Sequence, residues 1–298
     1  MSLLLTDAVE EGSLPLAVVR GGADEGRILM YCPDEGHGSL LTLGDGERFE
    51  LLPETRAGMR SVYHVVGPSG AGKSSLCAGF ARNFQEIWPA AKIVVISSIE
   101  DPDPAFAGVD LVRLAADEEL DDIEMPELAD ASEGDPTLLI FDDVEGLPDK
   151  RKKALENFQQ RALETGRKLG IHVLSIFHKA ASGASTKTSL SECNGLAFFP
   201  RANTGNLEYC LKRHFNINPS IKKLLKDPAW GRWILVRTDG HPSYLLGERR
   251  ASLYDSDEVN DELKRAAVVE RARACARARE EAKADAALAA DAAAGIWD

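Results

Sequence analysis

What the sequence lacks narrows the field first. None of its apolar runs approaches the roughly 18 residues needed to span a bilayer, which argues against a membrane-spanning helix and for a soluble chain. The opening MSLLLTDAVEEG has neither a basic leader nor a long apolar stretch, so no secretory signal is expected and the setting is expected to be cytosolic. Five cysteines (Cys32, Cys77, Cys193, Cys210 and Cys275) form an odd set without a C-x-x-C pair. That excludes a disulfide framework or a zinc site and predicts reduced thiols. No internal repeat is visible. An overall excess of positive charge is missing too: the net charge is −13.

That acidity looks hostile to nucleic acid, yet it is unevenly spread. Residues 1–53 carry −7, residues 54–135 carry −10, residues 136–250 carry +8 and residues 251–298 carry −4. A positive third quarter permits a local polyanion-binding surface, and equally a solvated basic face. With 298 residues and 44% apolar content, the chain can build one sizeable α/β domain with appendages or two small ones.

The strongest local signal is YHVVGPSGAGKSSL, residues 63–76, which fits G-x-x-x-x-G-K-[ST]. A β-rich run, RSVYHVV, precedes it. SSLCAGFARNFQEIW follows, with Leu76, Phe80, Phe84 and Ile87 at helical spacing. In such a loop, Gly67, Pro68, Ser69, Gly70, Ala71, Gly72, Lys73, Ser74 and Ser75 wrap the phosphates of ATP with backbone N–H groups, and the helix adds its positive end. Lys73 is expected to reach the β- and γ-phosphates and the Ser74 hydroxyl to hold Mg²⁺.

Hydrolysis also needs carboxylates. PTLLIFDDVEGL, residues 136–147, reads as a buried strand from Leu138 to Phe141 ending in Asp142-Asp143. Asp142 is the expected metal residue and Asp143 the expected base, with Glu145 a second candidate for the base. On its own such an acidic pair would read as a helix N-cap. Between these two segments, AAKIVVISSIED, residues 90–101, is a further buried strand. It is read here as the extra strand that separates the phosphate-loop strand from the acidic strand in RecA-like P-loop ATPases and is missing from simple nucleotide kinases. The acidic, breaker-rich stretch after it predicts a weak strand near Val109–Leu114, then a solvated helix or loop. Next, NFQQRALETGRKLGIHVLSIFHKA, residues 157–180, predicts a helix and a fourth strand that ends at His178. In RecA-like ATPases the strand next to the phosphate-loop strand ends in a polar residue that touches the γ-phosphate or the attacking water, and the likeness implies that role for His178; the plain alternative is a structural histidine at a strand end.

GRKLGIHVLSIFHKA resembles the segment of FtsK/HerA-superfamily DNA translocases in which G-R-x-x-G-I-H leads through a strand to a sensor glutamine. This chain departs from that pattern with His178 at the glutamine and with Asp143 where many members carry Glu. These departures, together with ERFELLP before the phosphate loop and the later WGRWILVRTDGHPSYLL, resemble the poxvirus-type genome-packaging ATPases of large double-stranded DNA viruses. The resemblance covers roughly residues 47–248. It implies an ATP- and Mg²⁺-dependent, homo-oligomeric ring, usually hexameric, that drives double-stranded DNA into a preformed capsid at the host-cell cytoplasm or viral assembly site. It also implies an arginine that acts on a neighbour's ATP; Arg161, Arg167 and Arg201 are the candidates. Three basic stretches, residues 149–161, 210–215 and 220–227, hold ten Lys/Arg suited to sequence-blind contact with phosphates.

The expected organisation is a small β-rich N-terminal element (1–55), built from LPLAVV, GRILMYC and GSLLTL, then a RecA-like P-loop ATPase domain with a central, mostly parallel sheet (56–250). An Ala-rich helical tail (251–298) follows, suited to docking on other subunits or on capsid proteins. Two rival readings stay open: a nucleotide or nucleoside kinase, and a regulatory or scaffold ATPase indifferent to DNA. An ABC-type subunit is disfavoured, because nothing resembles L-S-G-G-Q.

Overall fold

A strand that is covered on both faces is apolar at nearly every position, and the near-continuous apolar runs of this chain become strands for that reason. The computed structural model describes residues 2–33, 38–99, 101–129, 135–144, 146–217, 221–237 and 242–254. First in the chain come β1 (Ser2–Thr6), β2 (Leu14–Arg20), β3 (Ile28–Cys32), β4 (Leu40–Thr42) and β5 (Arg48–Leu51). Four of them form an antiparallel sheet in the order β1-β3-β2-β5. The GSLLTL run departs from this group: β4 pairs with a distant strand at the edge of the main sheet.

The centre of the molecule comprises β6 (Val62–Val66), α1 (Lys73–Ile87), β7 (Lys92–Ser97), β8 (Val112–Ala115), the short α2 (Met125–Leu128), β9 (Thr137–Asp142), α3 (Asp149–Thr165) and β10 (Ile171–Phe177). After these come α4 (Ala184–Glu192), β11 (Gly195–Phe198), α5 (Leu207–Arg213), β12 (Ile234–Arg237), β13 (Tyr244–Gly247) and β14 (Arg250–Leu253). The ten-stranded main sheet runs β4-β14-β13-β12-β11-β6-β10-β9-β7-β8. From β11 to β8 its neighbours are parallel, and from β11 outward to β4 they are antiparallel.

One sequence expectation is corrected by this order. The strand that separates the phosphate-loop strand β6 from the acidic strand β9 is β10, whose Val173 and Leu174 lie opposite Val62 and Tyr63 on one side and Leu139 and Ile140 on the other. The 90–101 segment, as β7, lies on the far side of β9. The inserted strand is therefore the one that ends at His178.

Alternate residues of each parallel strand face two different cores. Tyr63, Val65, Ile93, Val95, Leu138, Ile140, Leu174 and Ile176 pack with Leu76, Phe80 and Phe84 of α1. Val62, Val94, Ile96, Leu139, Phe141, Ile171 and Val173 pack with Leu155, Phe158 and Ala162 of α3. The N-terminal sheet shares the α1 core through Leu16, Val19, Leu29 and Phe49, so α1 is held between two sheets. Asn83 of α1 ties them polarly, donating to the Leu51 carbonyl at 2.9 Å and accepting from Arg20 at 2.7 Å. α1 stops where Pro89 forces Trp88 out of the helical region. α3 ends at Gly166, where the buried Arg60 guanidinium donates to the carbonyls of Ala162 and Leu163 and supplies the positive charge a helix C-terminus favours. The tail expected over 251–298 enters the fold only as the end of β14; from residue 255 it lies outside the described residues.

Candidate active site

Five neighbouring parallel strands, β11, β6, β10, β9 and β7, finish on one edge of the sheet, so the segments that leave them converge there. The loop after β6 wraps into α1 with Gly72 at φ 102°, a backbone state that a Cβ would oppose. Gly67 is needed for space, since a Cβ there would meet the Phe199 ring at 2.9 Å. Its N–H donates to the Phe177 carbonyl at 3.1 Å, which ties the phosphate loop to the strand that ends at His178. Lys73 is 7% exposed and its Nζ donates to the Pro68 carbonyl at 3.0 Å, folding back over the loop where a phosphate would be received. Ser74 follows in the first turn of α1, partly exposed, and Ser75 is exposed beside it.

Asp142 ends β9 opposite Ser97 and is 6% exposed. Burial, with the negative charges of Asp143 and Asp103 added, pushes its carboxyl up to about 6, while Lys73 opposes the shift. A buried carboxylate set among like charges is stabilised by a cation. With the Ser74 hydroxyl it offers the hard oxygen donors that Mg²⁺ takes beside phosphates, so these residues fit the metal. Among the described residues there is no cluster of three or more His, Cys, Asp or Glu that could hold a metal without such a phosphate.

Asp143 has φ 49°, a left-handed conformation uncommon for a non-glycine residue, and its carbonyl accepts a hydrogen bond from the Ser98 hydroxyl. The chain turns there, and Asp143 Oδ1 comes to 3.7 Å from His178 Nε2, with both side chains 42% exposed. This distance lies just beyond a direct hydrogen bond. The structure thus brings together four groups named from sequence: Lys73, Asp142, Asp143 and His178.

Other expected site residues fall elsewhere. Glu145 lies outside the described residues. Arg161 donates to the carbonyls of Leu120 at 2.9 Å and Asp121 at 3.2 Å, about 18 Å along α3 from its first residue. Arg167 donates to the Gly58 carbonyl at 3.1 Å, at the opposite edge of the sheet, where β10 starts. Arg201 follows β11 on the site's own edge, exposed, with its Nη2 on the Pro228 carbonyl at 3.3 Å. Sequence reasoning passed over Ser98, which holds Asp143, Asp103, which adds charge to Asp142, and Phe199, which supports the phosphate loop. A polar residue just past a buried strand was the available signal for Ser98.

A glycine loop opening a helix, on a parallel sheet with one strand inserted between the loop strand and the acidic strand, defines a P-loop NTPase fold of the RecA-like class. The chain matches none of the protein families searched. It is 24% identical over 249 residues to an uncharacterised protein, V3, of Sputnik virophage, covering 82% of this chain and 96% of that protein. Among solved structures it is similar to the genome packaging NTPase B204 of Sulfolobus turreted icosahedral virus 2. There the identity is 12%, with 65% of this chain and 96% of that chain covered and a TM-score of 0.43. It is also similar to the pCW3 conjugation coupling protein TcpA, at 11% identity, 85% and 82% coverage and a TM-score of 0.42. No helix among the described residues is long and apolar enough to cross a membrane.

Proposed function

We propose that this protein is an ATPase that drives double-stranded DNA into a preformed viral capsid. The observation that carries the chemistry is the meeting of Lys73, Asp142, Asp143 and His178 on one sheet edge, with Asp143 and His178 3.7 Å apart. Lys73 and the loop N–H groups, Gly67 to Ser75, hold the β- and γ-phosphates. Ser74 and Asp142 hold Mg²⁺, which when bound neutralises phosphate charge. Asp143 orients a water and takes its proton as the water oxygen bonds to the γ-phosphorus and the bond to the β-phosphate oxygen breaks. His178, carried on the inserted strand, binds the γ-phosphate or that water and so reports which nucleotide is present.

The DNA-pumping part of the reading is supported by the order of segments that resembles the packaging ATPases and by the basic third quarter of the chain. Lys150, Arg151, Lys152 and Lys153 are exposed at the start of α3, and Lys212 and Arg213 at the end of α5. In this reading the main sheet with its helices, β4 and β14 included, is the motor, the β1-β3-β2-β5 sheet is a β-rich attachment, and the chain beyond residue 254 docks on a neighbour or on capsid protein. The subunits form a ring, and Arg201 is the arginine that reaches a neighbour's site, since it leaves the active edge exposed with one carbonyl partner. The test is ATP turnover with and without long linear duplex DNA, with Lys73→Ala and Asp143→Asn alongside. Strong stimulation that disappears in both variants is expected; turnover that ignores DNA at low salt rejects the pumping reading. Arg201→Ala subunits mixed with Lys73→Ala subunits should regain part of the turnover that either lacks alone, if the arginine acts across the interface.

A further inference from the structure

His64 lies in the middle of β6, three residues before the phosphate loop, and is fully buried. A strand covered on both faces has no ordinary use for an imidazole, so its hydrogen bonds must be accounted for. Nε2 is 3.1 Å from the Ala180 carbonyl and Nδ1 is 2.9 Å from the Ser189 hydroxyl of α4. A carbonyl only accepts, so Nε2 carries the proton and Nδ1 accepts from Ser189. The ring also stacks on Phe177, with centroids 4.7 Å apart and planes 31° apart. His64 thereby touches the residue before His178 and the residue two after it, from within the strand that launches the phosphate loop.

We propose that His64 is a positioning residue that holds the turn carrying His178 at its working distance from Asp143; this rests on the ATPase reading above. The rest of the turn is fastened from the other side. The Ala180 N–H donates to the Gly205 carbonyl at 3.0 Å, Cys210 Sγ donates to the Ala180 carbonyl at 3.2 Å, and Asn206 donates to the Ala181 carbonyl at 2.7 Å. The Ser182 N–H donates to the Thr186 hydroxyl at 2.9 Å. All of these reach the turn from α4, α5 or the segment between β11 and α5. The Gly67 N–H bond to the Phe177 carbonyl fixes the start of the turn, and His64 links its Ala180 end to the phosphate-loop strand, so His64 sets that end in the frame of the nucleotide.

His64→Phe keeps the ring against Phe177 and removes the bond to Ala180, whereas His64→Gln places an amide N–H where Nε2–H was. In His64→Phe, kcat for ATP should fall about tenfold with KM within about twofold, because misplacement acts on the reacting geometry more than on binding. His64→Gln should restore kcat to within about threefold. Wild-type kcat in folded His64→Phe overturns the inference, and so does a Gln variant no better than Phe. Should His64→Phe fail to fold, Ser189→Ala replaces it: the ring stays but loses its Nδ1 partner, and a threefold or larger fall in kcat is expected, with no fall overturning the inference. Hydrogen–deuterium exchange on the full chain supplies a readout independent of turnover. Amides 178–182 should exchange about tenfold faster in whichever variant folds, while those of β6 stay protected; unchanged protection overturns the inference. Absence of ATP turnover by the wild-type protein would reject the ATPase reading and leave the exchange result to decide the role of His64 as an anchor.

Discussion

The two edges of the main sheet are built on opposite principles. At the edge where β6 and β10 begin, charge is buried and matched. Glu54, whose side chain is wholly buried, is bonded by Arg56 at 2.7 Å and Arg237 at 3.1 Å. Burial alone would raise its carboxyl, but the Arg56 hydrogen bonds and the Arg237 charge outweigh it and hold the group below the usual carboxylate range. Arg60 caps α3, and His172 Nδ1 accepts from the Ser61 N–H at 3.1 Å. At the edge where the strands end, Asp142 is raised rather than lowered, Asp143 is in a left-handed state, and Asp143 and His178 face each other without closing. One edge spends its polar groups on the fold; the other gathers like charge and a left-handed residue around the phosphate loop.

That contrast is broken first by its largest effect. Lys73→Ala should lower ATP turnover roughly 100- to 1,000-fold, while unfolding free energy changes by less than about 1 kcal/mol, read by steady-state kinetics and urea titration. The reciprocal change is Arg237→Leu, which leaves the buried Glu54 with Arg56 alone. It should cost about 3 kcal/mol of stability, seen as a lower urea midpoint, with KM for ATP unchanged in the protein that remains folded. A stability loss in the first variant, or a KM shift with intact stability in the second, would erase the distinction between the edges.

The matched edge was largely hidden in the sequence, and the open edge largely visible. A phosphate loop needs glycines and a lysine at fixed spacing, and a strand buried on both faces reads as an unbroken apolar run, so Gly67 to Ser75, Leu138 to Asp142 and Ile171 to His178 could be named in advance. Chain order does not give spatial order, which is why the segment at 92–97 looked like the inserted strand when 171–177 fills that place. GSLLTL carried no mark of which sheet would take it, because a three-residue edge strand is placed by its partner, here β14. Arg167 looked like a site residue from its motif, yet it ends at the Gly58 carbonyl on the matched edge. His64 and Glu54 gave no signal, since a polar residue inside an apolar run declares its partners only after folding.

Acid sharpens the comparison at intermediate cost. Burial lowers His64 and His172 to about 4 each. Unfolded, both take up a proton near 6.5; folded, they resist until about 4, so between these values the unfolded state binds more protons. Their contribution is complete above about pH 6.5 and is lost as pH falls toward 4, on the order of 3 kcal/mol for each ring. Urea unfolding at pH 7.5 and 5.0 should show stability falling, and His172→Phe should flatten the dependence if the ring's packing against Phe84 and Trp88 is kept. A rise in stability on acidification would mean that the rings are charged in the native state.

The smallest effect is the most discriminating. The Ser98 hydroxyl is exposed and donates to the carbonyl of Asp143, a polar tie on this left-handed residue beside the bond that its own N–H makes to the Asp142 carboxylate. On the matched edge, removing a backbone-directed hydrogen bond would register as lost stability of about 1 kcal/mol. On the open edge, a hydroxyl that returns to water costs the fold little, so Ser98→Ala should change unfolding free energy by no more than about 0.5 kcal/mol. Its effect should fall on kcat instead, about threefold to fivefold, because Asp143 can then relax toward an ordinary backbone state and carry its carboxylate away from the water. A variant that loses stability and keeps kcat would place Ser98 with the residues that build the sheet, and would show that the left-handed turn at Asp143 is fixed by the strand end itself.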